Sequence, residues 1–101
     1  MTCPHCRGAE KIFDEDTAAR DLKAYHARGP GTTTRLLIAA LRAAGIANLT
    51  LLDIGGGVGV IQHELLKDGA RSAIAVDASS AYLHAASQEA KRQGHADRIA
   101  Y

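Results

Sequence analysis

Apolar and polar positions repeat along this chain with two different periods, and the change from one to the other divides it. In residues 14–28, Ala18, Leu22 and Tyr25 fall on one face at helical spacing, with acids at the start and bases at the end. That order suits the helix dipole and predicts a half-buried helix. Gly29, Pro30 and Gly31 break it. Thr32 or Thr33 is placed to cap a second helix, whose Leu36, Leu37, Ala40, Leu41 and Ala44 form one apolar face before Gly45 closes it.

From Leu49 onward the pattern changes. An apolar run through Ile54 reads as a buried strand, and Val58, Ile61 and Leu65 recur at helical spacing until Gly69. A short apolar strand follows at 72–77, then an alanine-rich helix at 80–93 that places Tyr82, Leu83, Ala86 and Ala90 on its packing face before Gly94. A third strand begins at 98–101. Alternating strands and helices predict an α/β fold with a parallel sheet and two helices ahead of it. The organisation expected is a flexible Cys-containing N-terminus at 1–12, a helical extension at 13–47 and an incomplete α/β domain at 48–101.

The turn between the first strand and its helix carries the chemistry. Gly55, Gly56, Gly57 and Gly59 crowd into five positions after Asp53. Glycines weaken a regular element, so a loop this rich in them serves close approach of a ligand to the backbone. The helix N-terminus behind it offers unpaired N–H groups. Asp77 ends the next strand on the order of 20 residues further on, where a carboxylate can meet a ribose hydroxyl. A helix cap is the structural alternative for Asp77, but Ser79 or Ser80 can fill that role. A nucleoside-bearing cofactor follows. The dinucleotide pattern G-x-G-x-x-G fits Gly55 and Gly57 but meets Val60 in its third place, whereas acid-x-Gly-x-Gly-x-Gly is met in full by Asp53, Gly55, Gly57 and Gly59.

That second pattern resembles motif I of the class I S-adenosylmethionine-dependent methyltransferases, and VDAS at 76–79 resembles their motif II. The resemblance runs in register from about residue 49 to 79 and loosely into the following helix. It implies a Rossmann-like partial parallel sheet, the first three strands of a seven-stranded methyltransferase fold. It also implies S-adenosyl-L-methionine as cofactor, with Gly55, Gly56, Gly57 and Gly59 forming the loop around its methionine half. Asp53 would face the ammonium group, Asp77 the two ribose hydroxyls, and Ala78 and Ser79 the adenine. N-terminal helices in this family often cross the cofactor, so Tyr25, His26 or Arg35 could reach its carboxylate, although a structural role carries more weight. The acid that the family places after the third strand falls beyond Tyr101, so the chain reads as the N-terminal part of a longer protein or a truncated product, expected to be inactive alone as a methyltransferase. A nicotinamide-dependent oxidoreductase and a truncated, non-enzymatic cofactor-binding module are the alternatives.

Composition narrows the partners. With 47% hydrophobic and 23% charged residues and a formal net charge of +1, the chain has no electrostatic reason to seek nucleic acid or an anionic membrane, and a small-molecule acceptor is expected. Its longest apolar run, 36–41, is far short of the roughly 20 residues that span a bilayer, and a cytoplasmic location is expected. Cys3-Pro4-His5-Cys6 resembles a redox or zinc half-site, but no strand precedes it and no second pair completes a metal tetrahedron, so no metal is assigned to Cys3 and Cys6. His63-Glu64 begins like a zinc-protease motif, yet Lys67 stands where its second histidine belongs, and His63 is expected at the surface. His84 and His95 have no nucleophile at a telling spacing, and no catalytic residue is visible. Methyl transfer tolerates that, since it works chiefly by aligning donor and acceptor.

Overall fold

A computed structural model describes residues 8–101. One turn of helix, α1 (Ala9–Ile12), is followed by α2 (Glu15–Arg28) and α3 (Thr32–Ala44). Then come β1 (Thr50–Ile54), α4 (Val60–Lys67), β2 (Ser72–Val76), α5 (Ser80–Gln93), a short 3-10 turn (Ala96–Arg98) and β3 (Ile99–Ala100). The strands form one parallel sheet in the order β1-β2-β3, with Ile54 opposite Val76 and Ala73 opposite Ile99. This is the partial Rossmann-like sheet that the sequence implied. Cys3 and Cys6 lie outside the described residues.

The helix ends follow their caps. The Asp14 carboxylate accepts from the Thr17 N–H at 2.9 Å and starts α2, while the Ser79 hydroxyl accepts from the Tyr82 N–H at 3.2 Å and starts α5. Past α4, Gly69 takes φ +109° and lets the Ala70 N–H return to the Leu65 carbonyl at 3.0 Å. For α3 the expectation fails. Gly31 occupies the cap position with no side-chain bond, and both threonines lie inside the first turn.

One face of the sheet holds the core. Ala73, Ala75 and Ile99 meet Ile38 from α3, Leu65 and Leu66 from α4, and Ala90 from α5, with Leu51 partly buried among them. Small residues on the strands and on α5 let these helices dock closely on the sheet. The inward face of α3 differs from the one expected. Ile38 is buried and Leu41 half-buried, whereas Leu36, Leu37, Ala40 and Ala44 are exposed. A second cluster joins α2 to the glycine turn and α5 through Ala18, Val58 and Tyr82.

Candidate functional site

Both strands that carry the site end side by side. Because Ile54 pairs with Val76, the glycine turn and Asp77 leave the sheet at the same end, and the Gly55 N–H bonds the Val76 carbonyl at 2.6 Å. A direct bond then joins the two motifs, from the Gly57 N–H to Asp77 Oδ2 at 3.0 Å. The turn needs its glycines for two reasons. Gly59 sits at φ +88°, a conformation that costs an L side chain. Gly56 has no such dihedral; a Cβ there would overlap the Asp53 carboxylate and stand 2.9 Å from Gln62 Nε2.

Asp53 is 8% exposed and its Oδ2 accepts from Gln62 Nε2 at 2.9 Å. Burial raises its pKa above the usual carboxylate value, and the nearby Asp77 adds to the rise, while the Gln62 bond opposes it. Asp77 is half-buried, and its Oδ1 accepts from the Ser79 N–H at 2.8 Å. Each oxygen therefore holds one backbone donor and keeps a further lone pair for a ligand. Ala78 is half-buried beside it. Ser79 is completely buried: its hydroxyl donates to the Phe13 carbonyl at 2.5 Å and caps α5, so that side chain is committed to the fold.

Beside the turn opens a cleft of about 630 Å³. Asp53, Gly55, Gly56 and Gly57 form one wall, and Tyr25 of α2 and Thr34 of α3 stand opposite. Tyr82 backs the turn, its ring 3.7 Å from a Cβ built on Gly57 and its hydroxyl donating to Asp21 Oδ2 at 2.5 Å. Burial, and then the Asp21 carboxylate, push the Tyr82 phenol upward, so it stays protonated and works as a donor.

The three residues considered for a carboxylate ligand are engaged elsewhere. Tyr25 lines the cleft, but its hydroxyl donates to Glu64 Oε2 at 2.7 Å. His26 pairs with Glu89 at 2.8 Å. Arg35 donates to the Pro30 and Arg28 carbonyls at 2.7 and 2.9 Å, fastening the turn between α2 and α3. Sequence reasoning missed Gln62 and misplaced His63, which is fully buried rather than at the surface. One signal was available: both stand three and four positions after Gly59, the spacing at which a helix's first turn faces back to its cap. Among the described residues no group of three or more His, Cys, Asp or Glu side chains is arranged to hold a metal ion.

Comparison with known proteins places this architecture. No protein-family model matches the chain. A ribosomal protein L11 methyltransferase from Pasteurella multocida is 32% identical over 99 residues, covering 96% of this chain and 33% of that protein. A solved S-adenosylmethionine-dependent methyltransferase from Geobacter sulfurreducens, in complex with S-adenosyl-L-homocysteine, superimposes with a TM-score of 0.56 at 29% identity, over 65% of this chain and 26% of its own. Another from Thiobacillus denitrificans gives 0.61 at 22% identity, over 99% of this chain and 36% of its own, and speaks for the fold alone. Parallel strands, glycine turn and terminal acid define a methyltransferase-type α/β domain. In fold and sequence the chain is similar to S-adenosylmethionine-dependent methyltransferases, and it spans about a third of the length of the curated relative from Pasteurella multocida.

Proposed function

We propose that this chain supplies the S-adenosylmethionine-binding half of a methyltransferase. The observation that carries the reading is the convergence of the glycine turn and Asp77 at one end of paired strands, where Asp53 and the turn, though not Asp77, line an open cleft. The residues present fit the group. Gly56, lacking a Cβ, makes room for the Asp53 carboxylate, Asp53 offers that buried carboxylate to an ammonium, and Asp77 retains lone pairs for ribose hydroxyls. Ala78 would border the adenine, with Ser79 behind it as the cap of α5. When bound, the cofactor's sulfonium supplies an electrophilic methyl group. The chain's own contribution is to fix the donor in position and to keep water from one side of it.

A small-molecule acceptor is the reading for the methylated partner, supported by the balanced charge and the absence of a basic stripe. Methylation of a ribosomal protein is the rival, since the relative from Pasteurella multocida carries that name. The similarity to it includes the cofactor turn, which any acceptor class would share. No helix among the described residues is long and apolar enough to cross a membrane.

Thermal unfolding with added ligands tests the cofactor. S-adenosylhomocysteine at about 100 times its Kd should stabilise the protein by about 2.7 kcal/mol, with NAD(H) giving no shift. Protection by NAD(H) alone would favour the oxidoreductase, against which Val60 argues. Binding without methyl transfer to any small-molecule or ribosomal fraction would leave the non-enzymatic module.

A further inference from the structure

Two consecutive side chains on the first turn of α4 reach back beneath the glycine turn and hold its two ends. Gln62, 1% exposed, donates to Asp53 where the turn begins, and His63, fully buried, bonds the Val58 carbonyl at 3.0 Å where it ends. Gly59 lies over both. A Cβ on it would come within 2.8 Å of His63 Nε2 and 3.1 Å of Gln62 Oε1. The third motif glycine is thus required by the side chains below it as well as by its own dihedral. Gln62 Oε1 is buried without a partner, so this side chain is held there at the cost of an unsatisfied acceptor.

The proton positions follow from the partners. A carbonyl only accepts, so His63 Nε2 carries the hydrogen and donates to Val58. Nδ1 of the neutral ring is then an acceptor, and His95 Nε2, 2.8 Å away, must donate to it. The ring is packed between Tyr25 of α2, at 6.1 Å between centroids, and His95, at 5.0 Å. Lys67 on α4 and Glu89 on α5 are the other charged groups acting on it. A proton added at Nδ1 would confront the His95 donor inside a dry site.

We infer that Gln62 and His63 are positioning residues that clamp the glycine turn into its cofactor-binding shape, with the neutral His63 ring as the part of the clamp that acid releases. The inference rests on the cofactor reading for its consequence, but the clamp itself can be observed without a ligand. Hydrogen exchange of the Gly57 and Gly59 amides, bonded to Asp77 and to the Gly56 carbonyl, reports the turn; the amides of Ala86 and Ala90 report α5. Between pH 7.5 and 5.5, after correction for intrinsic rates, protection at Gly57 and Gly59 should fall about tenfold ahead of α5, because an opened ring titrates near 6.5 and a closed one does not.

His63→Gln, which keeps an amide donor but cannot titrate, should bind S-adenosylhomocysteine within about threefold of the unmodified protein at pH 7.5 and lose the acid response. His63→Leu fills the space without a donor and should weaken binding about tenfold at both pH values; Gln62→Leu should do the same through the other end of the turn. Unchanged loop protection between the two pH values, the same acid response in His63→Gln, or full affinity in both leucine variants overturns the clamp. If the unmodified protein binds no S-adenosylhomocysteine, the cofactor reading fails, and the exchange data on the free protein still decide the clamp.

Discussion

The two faces of the sheet are made from the same short strands and have opposite fates. Leu51, Ala73, Ala75 and Ile99 lie under α3, α4 and α5, while Leu52, Ile54 and Ile74 on the reverse side are 59, 72 and 38% exposed. Strands apolar on both sides are the mark of a parallel sheet built to be covered twice. The covered face also explains the site. Asp53 follows Leu51 by two positions, so the alternation that buries the leucine buries the carboxylate. Its partner Gln62 comes from α4, one of the helices covering that face. In this molecule the site is an extension of the core, which is why its acid is shifted and its glutamine half-satisfied.

Substitutions on the two faces should separate accordingly. Leu65→Ala, which empties the centre of the covered side, should cost about 2–5 kcal/mol in urea unfolding. Gln62→Leu should cost about 1–3 kcal/mol by leaving the buried Asp53 carboxylate without its donor; a loss below 0.5 kcal/mol would detach the site from the core.

Acid titration sharpens the same contrast, because two buried groups of the covered side respond oppositely. Burial lowers His63 from 6.5 to about 4, so the unfolded chain binds the proton more readily and stability should fall as pH drops from 6.5 towards 4. Asp53 is raised above 3.8, so its contribution is present at low pH and lost as pH rises through its folded value. Asp53→Asn should accordingly leave stability at pH 7 unchanged or slightly higher while weakening S-adenosylhomocysteine binding, a trade between fold and site. The smallest effect belongs to the bare face: Leu52→Lys should change unfolding free energy by no more than about 0.5 kcal/mol, and a larger loss would mean that this side is covered in solution.

The order of strand, glycine turn, helix, strand and acid was legible in the letters, since strand period, glycine spacing and the distance to Asp77 are local properties. The cap of α5, expected at Ser79 or Ser80, was legible for the same reason. The inward face of α3 was not. Residues 36–41 are uninterrupted apolar sequence, so several stripes are equally greasy, and only docking against α4 and the sheet selects Ile38 over Leu36 and Leu37. His63 was misjudged because a polar letter on an amphipathic helix reads as solvent-facing until its partners, 5 and 32 positions away, are brought to it. The partners of Tyr25 and Arg35, a carboxylate and two carbonyls, could not be named from spacing.

The hydroxyl of Ser79 on the Phe13 carbonyl spans 66 positions, and the links from Asp21 to Tyr82 and from Tyr25 to Gln93 span 61 and 68. During synthesis the first long helix therefore leaves the ribosome well before the helix it must seat against exists. It has to wait, as an amphipathic segment with its apolar stripe in water, until most of the chain has been made.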